Sequence, residues 1–242
     1  DGVAPALTGS KAFTGIAVND APVATPVTLA AGNEDTAYTI TAATLLAGVT
    51  DIDGPTLSIT SVSVASGGGS IVNNGNGTWT YTPAANYSGP VSFSYTASDG
   101  SLSSISTASL VISPLNDAPI ANNLSTAETY TQDTPLNLVD IVVSDVDSAT
   151  VTATLTLSNP AAGSLNTATS GAVTSTYNAA TGVWTASGAI ANVNALLAGL
   201  TLTPAATFNG SFSIATSVSD GVAPARSEER RVGKECTGSC RS

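Results

Sequence analysis

The tetrapeptide Asn19-Asp20-Ala21-Pro22 returns as Asn116-Asp117-Ala118-Pro119, 97 residues later. An interval of that size is one small all-β domain. Each copy follows an alternating apolar run and precedes another. Proline has no N–H and drives the residue before it into an extended conformation, so the tetrapeptide reads as a short, stiff, carboxylate-bearing joint. A length of 242 residues alone allows one or two domains; the repeat decides for two, plus a fragment.

A second repetition sharpens the boundaries. Residues 1–6 and 220–225 are both Asp-Gly-Val-Ala-Pro-Ala. Residues 1–18 are therefore expected to be the last strand of a preceding repeat. Residues 19–118 form a first whole repeat, and 119–225 a second that lacks its final strand. Residues 226–242 break every trend: they hold five of the six basic residues and both cysteines. The run Arg226–Cys236 resembles the in-frame translation of a common sequencing-library adapter, so the tail is expected to be non-native. The alternative is a basic C-terminal tail in which Cys236 and Cys240 form a disulfide or half a metal site.

Within the repeats, apolar residues alternate with period two between turn residues. Trp79 and Tyr81 share one strand face after the Asn74-Gly75-Asn76-Gly77 turn. Phe93, Tyr95 and Ala97 share another, and Ala108, Leu110 and Ile112 a third. Leu57 and Ile59 alternate, then Val62 and Val64 resume in the other phase, which predicts a bulge. Gly67-Gly68-Gly69 marks a loop. In the second repeat Val151, Ala153, Leu155 and Leu157 alternate, and Phe212, Ile214 and Val218 lie on a late strand. Ile190, Val193, Leu196, Leu197 and Leu200 instead fit a helical face, with Asn192 as N-cap and Gly199 as terminator. The fold class is all-β: tandem Greek-key β-sandwiches, the second truncated and carrying a short helix. Without its final strand, the second sandwich is expected to leave the edge of Gly210–Ser219 open, which residues 7–18 could fill.

Charge narrows the partners. Residues 1–225 hold one basic residue against 14 acidic ones, a net of −13. Nucleic acid needs Lys and Arg against phosphate and is excluded; cations are the natural counterpart. No stretch reaches the roughly 20 apolar residues needed to span a membrane. The chain has no His, no Cys before residue 236 and no Gly-rich phosphate loop, so an enzyme is not expected. Paired carboxylates can hydrolyse glycosides, but these acids sit in loops near domain ends.

Three acidic elements recur in register. Asp51-Ile52-Asp53 matches Asp145-Val146-Asp147. Ser98-Asp99-Gly100 matches Ser219-Asp220-Gly221, and Asn19-Asp20 matches Asn116-Asp117. Calcium takes six to eight oxygens from carboxylates, carbonyls and water. An Asp-x-Asp loop can aim two carboxylates at one ion, a third Asp can come from a neighbouring strand end, and joint oxygens can complete the shell. Taken singly, Asp99 and Asp220 also read as ordinary Asp-Gly turn formers.

The run SYTASDGSLSSISTASLVISPLNDAP resembles the closing segment of a cadherin repeat: an aromatic-rich strand, an Ala-x-Asp-Gly, a final strand and an Asn-Asp-x-x-Pro-type joint. Asp51-x-Asp53 matches the family's Asp-x-Asp calcium motif, and Asn33-Glu34-Asp35-Thr36 resembles its early acidic element. The likeness is closer to the cadherin-like tandem domains of giant bacterial surface and secreted adhesins. It covers nearly all of 19–118 and, more loosely, 119–225. It implies cadherin/immunoglobulin-like sandwiches and Ca²⁺ at the repeat boundaries. Asn19 and Asp20 would meet Asp51, Asp53 and Asp99; Asn116 and Asp117 would meet Asp145, Asp147 and Asp220; Glu34 would serve the far end of its repeat.

The pattern also departs from the family. The mid-domain Asp-Arg-Glu element is replaced by TPAANYSG. The second repeat lacks a Glu-Asp pair, with Glu128 a rough counterpart. Fewer ions per joint are expected, with affinities of about 10⁻⁴–10⁻³ M. The resemblance implies an extracellular location, secreted or on the cell surface. The implied role is a stalk or spacer whose partners are neighbouring repeats and a host or biofilm surface ligand. The alternative is a glycan- or protein-binding module within such an adhesin.

Overall fold

The computed structural model describes residues 9–11, 14–54, 56–222 and 224–234. The chain divides between Leu115 and Asn116 into two units, each with its own core. The joint residues Asn116 and Asp117 thus belong with the unit that follows them.

In the first unit the alternating runs become strands of two facing sheets. Ser58–Ser66, Gly89–Ser98 and Ser103–Ser113 pair antiparallel in one sheet. Tyr38–Thr41, Thr78–Thr82 and Ser70–Asn73 form the other. Trp79, Tyr81, Phe93, Tyr95, Ala97, Ala108, Leu110 and Ile112 are all buried between them. Fully burying a side chain the size of Phe93, Leu110 or Ile112 contributes about 1.5–3 kcal/mol. The predicted phase change is a bulge: the ladder to Gly89–Ser98 slips between Ile59 and Ser61 and again between Val64 and Ser66. Gly67–Gly69 turns the chain between sheets. Gly69 sits at φ +125°, and a Cβ there would lie 2.4 Å from the Thr82 carbonyl oxygen, so the turn requires glycine.

The opening strand changes sheets. Val23–Ala24 pairs antiparallel with Val49–Thr50. Past Pro26, Val27–Thr28 and Gly32–Asn33 run parallel to Ser103–Ser113. A short helix, α1 (Ala42–Leu46), follows Tyr38–Thr41 and is capped by the Thr41 hydroxyl, which accepts from Thr44 N at 3.2 Å.

The second unit repeats this plan. Ile120–Asn122 pairs antiparallel with Val142–Ser144, and Glu128–Tyr130 runs parallel to the last strand. The main sheet has the order Glu128–Tyr130, Arg226–Lys234, Phe212–Ser219, Thr150–Leu157, Val183–Ala189, Thr176–Asn178. Leu136–Asn137, Thr201–Pro204 and Gly163–Leu165 face it. Val151, Ala153, Leu155, Leu157, Trp184, Phe212, Ile214 and Val218 fill the core. The expected helix is α2 (Ile190–Ala198), closed at Gly199. Asn192 is not its N-cap. The helix starts directly from the strand ending at Ala189, and its first amide is satisfied by backbone, Ile190 N donating to Ala149 O at 3.1 Å.

The edge beside Phe212–Ser219 is not open. Arg226–Lys234 pairs with it antiparallel over seven residue pairs, Phe212 facing Val232 through Val218 facing Arg226. Val232 enters the core, and Arg230 is buried against Glu128. The tail therefore occupies the place of the final strand. Residues 1–8, 12 and 13, most of the expected orphan strand, lie outside the described residues, as do Cys236 and Cys240.

Candidate metal centre

Each unit gathers its three acidic elements at the segment that leads into it. In the first, Asp99 follows the strand ending at Ser98. Its Oδ1 accepts Ser101 N (2.6 Å) and Leu102 N (2.7 Å). Its Oδ2 accepts the side-chain amide of Asn19 at 2.7 Å, and that amide also donates to the Asp20 carbonyl at 3.1 Å. Asp20 N donates to Asp53 Oδ2 at 2.7 Å. Asp53 N donates to Asp51 Oδ1 at 2.9 Å, closing the Asp-x-Asp loop on itself. The Asn19 amide, followed by the N–H groups of Leu102 and Ser101, holds the Asp99 carboxyl below its ordinary value.

The second unit reproduces the bonds of the joint and of the Asp-x-Asp loop. Asn116 donates to Asp220 Oδ2 (2.5 Å) and to the Asp117 carbonyl (2.9 Å). Asp117 N donates to Asp147 Oδ2 at 2.7 Å. Asp147 N and Ser148 N donate to Asp145 Oδ1 at 2.9 and 2.7 Å. Asp220 Oδ1 accepts Val222 N at 2.9 Å.

Two atoms stand out in this network. Asp51 Oδ2 and Asp145 Oδ2 are both buried and have no hydrogen-bond partner. An ionised carboxylate can only accept, and leaving a buried acceptor without a donor costs about 1–3 kcal/mol. That the same atom is orphaned in both units fits a hard cation, which prefers oxygen ligands. Asp51 and its neighbours Asp20, Thr50 and Ile52 also line an open depression in the first unit. Among the described residues no group of three or more Asp, Glu, His or Cys side chains could hold a metal by itself. A full shell would have to include Asn or backbone carbonyl oxygens and water.

Glu34 lies apart from Asp51, Asp53 and Asp99. It is buried, and its Oε1 accepts Leu115 N at 2.6 Å, while Glu34 N donates to Ser113 O at 3.0 Å. The 11-residue strand Ser103–Ser113 separates the two places by roughly 35 Å. Glu128 is not its counterpart: it accepts Val139 N at 3.1 Å and pairs with Arg230. The equivalence runs instead through Asp35 and Asp133. Both have positive φ (53° and 61°), and both accept a backbone N–H from the same turn, Asn86 in one unit (3.1 Å) and Thr207 in the other (3.3 Å). The signal was present: Asp-Thr at 35–36 and 133–134, and Thr-Pro-Ala-Ala at 82–85 and 203–206.

Residues 18–113, under half of the chain, match a family model described as a cadherin-like domain. No curated protein matches. Among solved structures, Drosophila N-cadherin EC1-4 is 12% identical with a TM-score of 0.43, covering 90% of this chain and 50% of that one. An endo-fucoidan hydrolase of glycoside hydrolase family 107 is 18% identical with a TM-score of 0.32, covering 90% of this chain; the present chain spans 29% of its length. The titin z1z2 domains in complex with telethonin are 13% identical, again with a TM-score of 0.32, covering 90% of this chain and all of that one. At these identities and scores the likeness extends to no function.

Proposed function

We propose that the chain is a calcium-binding structural repeat fragment of a large extracellular adhesin, serving as a stalk or spacer whose joints Ca²⁺ stiffens. The observation that carries this reading is the orphaned, buried oxygen at Asp51 and again at Asp145. Asp51, Asp53, Asp99, Asn19 and Asp20 would hold the ion in the first unit. Asp145, Asp147, Asp220, Asn116 and Asp117 would hold it in the second. Glu34 would serve the joint that follows its own repeat. Bound there, calcium would supply charge neutralisation and a fixed set of oxygen contacts. The chain's own contribution is to tie each leading segment to its unit by the Asn amide and the joint N–H. The matched cadherin-like domain supports an adhesion-type, non-catalytic module. The adapter reading of residues 226–242 belongs to the same proposal, with Arg226–Lys234 standing where a natural closing strand would pair.

Exposed aromatics clustered on one sandwich face would favour the alternative, a glycan-binding module. Among the described residues no Trp, Tyr or Phe is exposed, which favours the structural role. Thermal melts with calcium and with a chelator test it. The expected result is a rise in Tm at millimolar calcium that magnesium does not match; an unchanged Tm would sink the proposal.

A further inference from the structure

The closing strand of the second unit is anchored by one buried base and fits its slot poorly elsewhere. Arg230 pairs with Glu128 and donates to Asn123 O (2.7 Å) and Val139 O (3.1 Å). Two and four residues earlier on the same side, Glu228 and Arg226 are exposed and pair with each other at 3.6 Å. Opposite Glu228 in register lies Thr216, whose buried Oγ1 has no hydrogen-bond partner; Arg230 Nε has none either. In the first unit the inward positions of the same strand are Ser106, Ala108, Leu110 and Ile112, all buried and uncharged. The slot in the second unit thus calls for a strand with a base facing Glu128, an apolar residue two positions later, and no other inward charge.

One other stretch of the chain carries that pattern. After the second Asp-Gly-Val-Ala-Pro-Ala comes RSEERRV; after the first comes LTGSKAF. Aligned on the hexapeptide, Lys11 falls on Arg230 and Phe13 on Val232. Leu7 and Gly9 replace the charged Arg226 and Glu228. Lys11 is the one base in residues 1–225, and it falls in the register of Arg230.

We propose that the slot between Glu128–Tyr130 and Phe212–Ser219 is a strand-acceptor site, and that its partner is residues 7–15 of a second copy of this chain. The incoming strand displaces Arg226–Lys234. Backbone ladders on both sides supply the affinity, and Lys11 against Glu128 fixes the register. Donor and acceptor are different surfaces, so the contact is head-to-tail and extends rather than closing into a symmetric dimer.

The test is a fluorescein-labelled peptide of residues 1–18, followed by anisotropy against the full chain. Val232→Pro removes a ladder donor from a strand paired on both sides and frees the slot. The expected result is peptide uptake at least about tenfold tighter than by the wild type, since a freed slot needs no displacement step. A Lys11→Glu peptide, or Glu128→Gln in the protein, abolishes it. Equal uptake of wild-type and Lys11→Glu peptides, or none by a folded Val232→Pro chain, overturns the proposal. Should that variant fail to fold, the wild-type chain is refolded from urea in excess peptide. Peptide that co-elutes with the refolded protein only when Lys11 is intact supports the site; none, or equal amounts of both peptides, overturns it.

Discussion

The side-chain amide of Asn116 reaches the carboxylate of Asp220 across 104 positions of sequence at 2.5 Å, and the same nitrogen holds the Asp117 carbonyl. One side chain thereby fastens the leading segment of the second unit to the end of the strand Phe212–Ser219. Asn116→Ala removes a partly buried bond to a charged acceptor, and about 1–2 kcal/mol of the second unit's stability goes with it. Urea unfolding read by Trp184, buried in that unit, measures the loss.

Asn19→Ala removes the equivalent, exposed bond, and its signature is in titration rather than in stability. Asn19 is the largest of the influences that lower the Asp99 pKa from 3.8. A carboxyl lowered on folding contributes stability that is present above its ordinary value and lost as pH falls through the folded value. In the variant, the Asp99 carboxyl carbon should titrate closer to 3.8 by NMR. The acid limb of the first unit's stability should be shallower and end at a higher pH, because only the folded-state value moves.

Asp51→Asn and Asp145→Asn keep the side-chain shape and remove the charge at each orphaned oxygen. Without calcium, each variant should melt at or above the wild type, because fewer like charges crowd the loop. With calcium at about ten to a hundred times Kd, an intact site gains about 1.4–2.7 kcal/mol, and the altered unit gains none. Calorimetry with and without the ion reads this reversal of order.

Glu34→Ala should cost the first unit about 1–3 kcal/mol, because it leaves the N–H of Leu115 without its acceptor. Glu34→Gln keeps an acceptor oxygen and should cost less. Amide hydrogen exchange at Leu115 separates the two, fast in the alanine variant and slow in the glutamine variant.

Breaking the buried Glu128–Arg230 pair from one side, by Glu128→Leu or by Arg230→Met, should cost about 3–5 kcal/mol. The double replacement should return close to the wild type, since no charge is then left buried alone. A double-mutant cycle in urea gives the coupling directly.

Much of this was legible in the chain because period and register are local. Phe93, Tyr95 and Ala97 announce their buried face by spacing alone, and the slip after Ile59 announces its bulge. The grouping of Asp145, Asp147 and Asp220 with Asn116 follows from a motif set written twice. What was hidden depended on contacts between distant segments. RSEERRV shows no alternation, yet it forms a strand because its neighbours on both sides offer unpaired backbone and Glu128 offers a buried carboxylate to Arg230. Asn192 has the chemistry of an N-cap, but the Ala149 carbonyl already satisfies the first amide of α2. Glu128 shares only its acidity with Glu34; the positive φ shared by Asp35 and Asp133 identifies the true correspondence.

The crossing of the opening strand has a mechanical consequence. In both units the later part of that strand runs parallel to the closing strand: Val27–Thr28 and Gly32–Asn33 beside Ser103–Ser113, and Glu128–Tyr130 beside Arg226–Lys234. Tension drawn through a unit from its first residue to its last pulls these two strands in opposite directions along their length. The hydrogen bonds between them are then loaded together in shear, rather than peeled one at a time. Resistance to extension therefore resides in the patch where the two ends of each unit lie side by side.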